Sequence, residues 1–217
     1  IVTYVTAVAQ AHPHLLEDYL YYERKDAVVF IGYPLAGEFS GEAVKSHVEY
    51  LRRTYHPRPI AMISPEDIYP PDTCLALGSD DYYRLDISRF AIKQKVRNMV
   101  NRAGRELKVE RGSRLSFEHE QLIQEFIGSR QLDPFTMKIF QNIPDYISSS
   151  NTVVVLSAWR EDRLVAFDIM DTASDSYSFY MFNFSSRQDY VPGASDLLFN
   201  EIIAISREMD KKFISMG

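Results

Sequence analysis

The chain has 217 residues, of which 46% are hydrophobic and 25% charged, and this composition is typical of a globular protein with one large or two small cores. Its net charge of −6 and pI near 5.4 argue against general nucleic-acid binding, although a local basic patch is compatible with both. No apolar run in the sequence approaches the roughly eighteen residues of a membrane span. The single cysteine, Cys74, excludes an internal disulfide and a multi-cysteine metal site, and the histidines have no metal-ligand spacing, so no metal is expected.

The first part of the chain alternates between apolar runs and turn residues, a pattern typical of an α/β unit. Strands are predicted at 1–9, 27–33, 60–63 and 73–77, and a helix is predicted from Gly41 to Tyr55. His12-Pro13-His14 is expected to be an exposed loop that ends the first strand, whereas residues 15–22 fit both periods and stay ambiguous.

A basic helix is predicted from about Ser88 to Ala103, with Ser88 as its N-cap. Lys95, Arg102 and Arg105 share one face of this segment and form the densest positive cluster of the chain. The cluster could neutralise phosphates, or it could be a solvated helix face with no specific partner.

The second half has clearer periodicity. Helices are predicted at 116–129, with Ser116 and His119 as a partial capping signal, and at 134–143, where Pro144 should stop the helix. The serines at 148–150 are interpreted as a loop. Strands follow at 152–159, 164–170 and 177–184, then a helix from about Ala194 and a strand at 213–216, which should run parallel to the strand before the helix.

The loop before the last helix contains Gln188, Pro192, Gly193, Ala194 and Ser195. Backbone N–H groups at the start of a helix have no intrahelical partner and can bind an anion. Strand, loop, helix and strand in this order resemble the acyl-donor segment of the GNAT acyltransferases, whose loop (Q/R-x-x-G-x-G/A) holds a pyrophosphate. Gln188 and Gly193 are five apart rather than three, and Pro192 removes one N–H group.

A closer resemblance is to the C-terminal domain of the phosphatidylglycerol lysyltransferases and to the Fem-type peptidyltransferases. Their segment G-x-M-D-L-L is similar to the run from Gly193 to Leu198, and the aromatic residue and L-G after their helix are similar to the run from Phe213 to Gly217. The R-N-x-x-N-R pattern from Arg97 to Arg102 also resembles these families.

The resemblance implies an α/β (α+β) GNAT-like fold, in which helices flank a mixed sheet and two lobes follow in tandem. The lobes are expected at 1–104, diverged or partial, and at 105–217, without the last helix and strands of a GNAT lobe. Since the chain begins with Ile1 and ends directly after a predicted strand, we expect it to be part of a longer protein.

The implied function is transfer of an acyl or aminoacyl group to an amine or hydroxyl of an acceptor such as a lipid headgroup or a peptide. The donor would be a co-substrate, either acyl-CoA or aminoacyl-tRNA, and no tightly bound cofactor is expected. The expected location is the cytoplasm, or a membrane surface if the acceptor is a lipid, and the oligomeric state stays open. The alternatives are a binding or scaffold protein that keeps the fold without catalysis.

The resemblance also suggests functional residues. Arg187, Gln188, Gly193, Ala194 and Ser195 would bind the donor, and a tRNA donor would in addition contact Lys95, Arg102 and Arg105.

In the lysyltransferases the strand before this loop carries an Asp and, three residues later, an Arg, which the resemblance places near Asn183 and Ser186-Arg187. Asn183 cannot act as a base, so Arg187 alone could remain as an anion-binding or donor-binding group, the chemistry could pass to Asp168, Asp171 or Tyr180, or it could be absent. Asp168 lies in an apolar strand, where a buried carboxylate is costly unless it is paired. Structural and functional roles are therefore both open for Asp168, and core packing is favoured for Tyr180.

Overall fold

The structure, a computed structural model, describes residues 1–70 and 72–216. The chain forms two compact units, one from Val2 to Ser79 and one from Asp80 onward. Each unit has its own sheet and its own hydrophobic core.

The N-terminal unit has a four-stranded sheet in the order β1-β2-β3-β4. The first two pairs of strands are antiparallel, and β3 and β4 are parallel because helix α2 connects them. Ser40 caps α2 by accepting a hydrogen bond from the backbone N–H of Ala43. The elements are α1 (Val2–Ala9), β1 (His12–Leu16), β2 (Tyr19–Glu23), β3 (Val28–Ile31), α2 (Gly41–Tyr55) and β4 (Ile60–Ile63).

Three predictions for this unit are wrong. Residues 2–9 form helix α1 rather than a strand, because packing of Val8 and its neighbours overrides the β-propensity of the run. His12-Pro13-His14 belongs to strand β1, where Pro13 is tolerated because β1 lies at an edge of the sheet. Residues 73–77 are not a strand, and Leu75 and Leu77 are exposed, so no packing supports one.

The C-terminal unit has a six-stranded sheet in the order β5-β10-β9-β8-β7-β6. All neighbouring strands are antiparallel except β9 and β10, which are parallel as predicted. The elements are β5 (Arg84–Asp86), α3 (Gln94–Glu106), β6 (Lys108–Gly112), α4 (Phe117–Gly128), α5 (Pro134–Gln141), α6 (Ile143–Ser149), β7 (Val153–Arg160), β8 (Arg163–Asp171), β9 (Tyr177–Ser185), α7 (Ala194–Glu208) and β10 (Phe213–Ser215). Gly217, the last residue of the lysyltransferase-like pattern, lies outside the described residues.

Two helix boundaries in this unit differ from the prediction. Ser88 does not cap α3; its N–H and hydroxyl both donate to Asp86 in a turn after β5, and the helix begins six residues later. Pro144 does not end a helix but lies in the first turn of α6, where its missing N–H is not needed, so Ser148 and Ser149 are helical rather than part of a loop.

The division between the units falls at Ser79 and Asp80, whereas the sequence placed the lobe boundary at 104/105. Residue 104 lies inside α3, and α3 packs on α7 of the C-terminal unit, with Gly104 against Leu197. β5 likewise pairs with β10 of the same sheet. Long-range packing of this kind leaves no mark in local composition, so the sequence boundary came too late.

The two units repeat one arrangement. Three antiparallel strands, a helix and a parallel strand follow one another as β1-β2-β3-α2-β4 and again as β7-β8-β9-α7-β10. In the first copy β3 and β4 stay paired to their ends, and the N–H of Gly32 continues the pairing to the carbonyl of Ile63 at 2.7 Å. In the second copy the pairing of β9 with β10 stops at Phe179, although β9 runs on to Ser185.

Candidate functional site

In the part of the chain that the structure describes, the edge of β9 that faces β10 is unpaired where β10 has ended, and it is called the open edge of β9. Of the residues of β9, β10 pairs with 177–179, and the six following residues of β9 continue beyond it. A β-bulge falls at the same place, because Ile169 is opposite Phe182 and Met170 is opposite Tyr180, which leaves Met181 as an extra residue. Bulges interrupt backbone pairing and are common next to active sites.

Asp168 is the buried carboxylate of this region. It is fully buried in β8 and lies directly opposite Asn183 in β9, whose side-chain amide donates a 2.5 Å hydrogen bond to its Oδ1 atom. In the described part of the chain, Oδ2 has no hydrogen-bond partner within normal geometry. Burial raises the pKa of Asp168 to about 7, against the opposing effects of Asn183 and Tyr180. The carboxyl group is therefore much harder to ionise than an exposed aspartate.

Tyr180 approaches the same carboxyl group from the other side of the bulge. Burial raises the pKa of its hydroxyl well above 10, and the neighbouring charge of Asp168 adds to the shift. Its ring is half-buried and packs edge-on against Phe199 of α7. The core packing predicted for Tyr180 is present, and the contact with Asp168 adds to it.

A polar network leads from Asp168 to the start of α7. The side-chain amide of Asn183 also lies 3.3 Å from the hydroxyl of Ser195, and that hydroxyl lies 3.2 Å from the hydroxyl of Ser185. The structure thus brings together Asp168, Tyr180, Asn183 and Ser195, which the sequence singled out separately. Ser185 was missed, although it follows Asn183 by two residues and so lies on the same face of β9.

A cleft of about 130 Å³ opens at the N-terminus of α7. Its lining includes Ser185, Tyr190, Gly193, Ala194, Ser195 and Asp196. Gly193 is the N-cap of α7 and has a left-handed backbone with φ of +88°.

Several N–H groups of the preceding loop are already bonded within the protein. The N–H of Arg187 donates to Glu125, that of Asp189 to Ser186, and that of Ala194 to the carbonyl of Val191. Pro192 has none. The side chains of Arg187 and Gln188 are exposed at the start of this loop.

The basic patch on α3 lies apart from the clefts. Lys95, Arg102 and Arg105 are exposed, and none of them lines either cleft in the described ranges 1–70 and 72–216. Arg102 lies 3.9 Å from Glu106, a weak surface pair that neutralises part of its charge.

The described residues contain neither a metal-ion cluster nor a membrane-spanning helix. Among residues 1–70 and 72–216, no group of three or more His, Cys, Asp or Glu side chains is arranged to hold a metal ion. None of the described helices has the length and apolar character needed to cross a bilayer.

Several solved structures share the fold of this chain. The C-terminal domain (DUF2156) of a candidate lysylphosphatidylglycerol synthetase from Agrobacterium fabrum aligns over 99% of this chain and 72% of its own, with a TM-score of 0.67 and 18% identity. FemX aligns over 99% of this chain and 82% of its own, with a TM-score of 0.61 and 10% identity. A GCN5-related N-acetyltransferase from Kribbella flavida aligns over 99% of this chain and 82% of its own, with a TM-score of 0.54 and 8% identity.

The chain has a GNAT-like fold. This confirms the resemblance inferred from the sequence at the level of architecture, which the chain shares with these solved proteins. No protein-family model matches the sequence, and no curated protein matches it either. In this GNAT-like fold, the bulged strand β9, the start of α7 and the open edge beside β10 together form the candidate site.

Proposed function

We propose that this protein is an aminoacyl transferase that moves an aminoacyl group from aminoacyl-tRNA to an amine or hydroxyl of its acceptor. The observation that carries the proposal is the buried Asp168, with a pKa near 7, beside Tyr180 and Asn183 at the open edge of β9. A carboxyl group that titrates near neutrality suits proton transfer at working pH, and such groups concentrate at functional sites.

The proposed reaction joins the nucleophile of the acceptor to the ester carbonyl of the donor. The bond from this carbon to the ribose oxygen then breaks, the nucleophile loses a proton and the ribose oxygen gains one. Tyr180 is protonated at neutral pH and half-exposed, so it is the group that would donate to the ribose oxygen. Asp168 is too deeply buried to touch substrate directly; it would pass its proton to Tyr180 as Tyr180 donates, and the proton that the nucleophile loses would return through Tyr180 to Asp168.

The ester carbonyl must be polarised as negative charge develops on its oxygen. Backbone N–H groups do this well when they are fixed in a site that excludes water. The bulge at Met181 lies in the pairing of β9 with β8, just past the point where the pairing of β9 with β10 stops, and it supports a role of this strand in holding the carbonyl.

The loop before α7 supports a tRNA donor over acyl-CoA. A CoA pyrophosphate would need several free N–H groups, but those of Arg187, Asp189 and Ala194 are bonded internally and Pro192 lacks one. The carboxylate of Asp196 also lines the cleft and would repel a pyrophosphate. Lys95, Arg102 and Arg105, by contrast, offer an exposed basic helix to a tRNA backbone.

The acceptor is proposed by chemistry alone, as an amine or hydroxyl on a lipid headgroup or a peptide. The competing function is a binding or scaffold protein that has lost catalysis, and Asn183 in place of the lysyltransferase Asp favours it.

The proposal is tested by transfer assays with the purified chain. Total tRNA charged with radiolabelled amino acids, and separately radiolabelled acetyl-CoA, are offered with small amines, peptides and phospholipid vesicles as acceptors. We expect label to move only from tRNA, and Asp168→Asn and Tyr180→Phe to reduce the rate at least about 100-fold. Transfer from acetyl-CoA alone would replace the proposed donor. No transfer to any acceptor, or full activity in both variants, would favour the non-catalytic alternative.

A further inference from the structure

A second cleft, of about 100 Å³, lies on the other side of Ser185 from the start of α7. Its polar lining comes from the end of α4 and from β9 with the loop after it. It consists of Glu125, Ser129, Arg130, Asn183, Ser185 and Arg187. Since Asn183 bonds Asp168, a ligand in this cleft would lie one side chain away from the proposed catalytic centre.

Arg130 is held in position by an aromatic stack. Its guanidinium carbon lies 4.0 Å from the ring centroid of Phe126, and Phe126 packs in turn on Phe140 and Phe184. The turn that ends α4 fixes its backbone, because the N–H of Arg130 donates to the carbonyl of Ile127. A guanidinium stacked on a ring keeps its N–H groups available at the rim.

Glu125 ties the two halves of the cleft together. Its half-buried carboxylate accepts a 2.9 Å hydrogen bond from the backbone N–H of Arg187, which joins α4 to the loop after β9. Neither Arg130 nor Arg187 forms an ion pair through its side chain in the described part of the protein. The cleft therefore presents two unpaired guanidinium groups and one carboxylate that has only a neutral partner.

A cleft with charges of both signs fits a ligand with charges of both signs. Two guanidinium groups suit a carboxylate, which accepts hydrogen bonds from both, and Glu125 suits an ammonium group beside it. A simple phosphate would place an anion beside the carboxylate of Glu125. An uncharged headgroup would leave Glu125 without a cationic partner.

We propose that this cleft binds the zwitterionic α-amino acid group of the acceptor, with its carboxylate at Arg130 and Arg187 and its ammonium at Glu125. The acceptor is then an amino acid, or a compound that ends in a free amino acid group, and its side-chain amine or hydroxyl points past Asn183 towards Tyr180. This acceptor assignment rests on the proposed transferase function, but binding in the cleft can be tested without it.

The test measures binding by NMR on the ¹⁵N-labelled full chain, with glycine, acetate, methylammonium and inorganic phosphate as probes. We expect saturable shifts of the Asn183 side-chain amide and of the Arg130 and Arg187 side chains with glycine, and at least about tenfold weaker binding of each single-charge probe. Arg130→Gln should weaken glycine binding about tenfold or more. Glu125→Gln keeps an oxygen for the Arg187 N–H, and it should remove the preference for glycine over acetate.

Arg114→Gln is the matched control, because Arg114 is an exposed arginine just before α4 that lines neither cleft. It should bind glycine like the wild type. The proposal is overturned if phosphate or acetate binds as tightly as glycine, if no probe saturates, or if Arg114→Gln weakens binding as much as Arg130→Gln does.

Failure of the proposed function has a different signature. If the protein binds glycine in this cleft but transfers no aminoacyl group, the proposed binding site stands and the proposed transferase function is wrong. If aminoacyl-tRNA supports transfer, but neither glycine nor free lysine inhibits it and Arg130→Gln leaves it unchanged, the transferase function stands and this acceptor site is wrong.

Discussion

The carbonyl oxygen of Met99 in α3 lies 2.8 Å from the position that a Cβ atom on Gly193 would occupy at the start of α7. The backbone of one helix thus touches the N-cap of another, and only a glycine leaves room for the contact. The φ of +88° at Gly193 gives a second reason for a residue without Cβ. The glycine that resembles part of a phosphate loop therefore has a structural role, which is to fix the start of α7 beside the candidate site.

Gly193→Ala should destabilise the protein by roughly 2 to 4 kcal/mol, because it adds backbone strain at a left-handed position and a steric conflict with Met99. Urea denaturation followed by circular dichroism measures the change. Gly128→Ala is the control, because Gly128 is in the last turn of α4 and a Cβ there meets no atom within 4 Å. It should be neutral or up to about 1 kcal/mol stabilising. Equal stability of the two variants would contradict the packing role.

Asp168→Asn should change how stability depends on pH. The folded protein holds the Asp168 proton up to about pH 7, whereas the unfolded chain releases it near the ordinary value of 3.8. Well below pH 3.8 the carboxyl group is neutral in both states, and as pH rises from there to 7 the wild type loses stability that the variant keeps.

The difference of about three units between the folded and unfolded pKa of Asp168 corresponds to roughly 4 kcal/mol of folding stability lost by the wild type. Denaturant titrations of both proteins at pH 4.5, 6 and 8 measure it, and the variant should gain on the wild type at each step. A difference between the two proteins that does not vary with pH would show that Asp168 titrates normally.

His119 should make stability depend on pH in the opposite direction. It is buried below the start of α4, where its Nδ1 accepts from the backbone N–H of Ser116 and its Nε2 bonds the hydroxyl of Ser157. Burial against Trp159 and Phe167 lowers its pKa, which the charge of nearby Glu118 only partly offsets.

The unfolded chain therefore binds a proton on His119 more readily than the folded one, and stability falls as pH drops below about 6.5. Thermal unfolding of the wild type and of His119→Gln between pH 8 and 5 measures the effect, and the variant should lose less of its melting temperature over this range. Parallel curves would exclude His119 as the cause.

The basic face of α3 should bind tRNA in a strongly salt-dependent way. Neutralisation of about three phosphates gives a slope of roughly −2 to −3 in a plot of log affinity against log salt. Filter binding of tRNA should show this slope for the wild type and little binding for Lys95→Glu with Arg102→Glu.

Lys25→Glu with Arg52→Glu changes the net charge equally at exposed positions of the N-terminal unit and serves as the control. If this control loses binding to the same extent, the attraction is a general effect of net charge. Salt-insensitive binding of CoA at micromolar concentration, without measurable tRNA binding, would reverse the choice of donor.

Periodicity alone located most elements of the C-terminal unit. The runs at 152–159, 164–170 and 177–184 alternate or are continuously apolar between clear turn residues, and all three are strands within one or two residues. The helix from Ala194 and the parallel return of β10 follow from the same reasoning, because a crossover helix leaves little choice of direction. The N-terminal run at 2–9 was misread because a short β-branched run can form a helix when packing requires it.

The candidate site depended both on local sequence and on tertiary packing. The sequence by itself marked Asp168 as a carboxylate in an apolar strand and Asn183, Tyr180 and Ser195 as separate candidates, because residue type and position in an element are local properties. Their meeting was decided by the register of β8 and β9 with its bulge at Met181, and the cleft of Glu125 and Arg130 was decided by how α4 packs on β9. Gly193 was read as an anion-binding residue, and only the approach of Met99 gave its structural reason. Contacts between residues far apart in sequence are fixed by tertiary packing, and local sequence patterns carry no information about that packing.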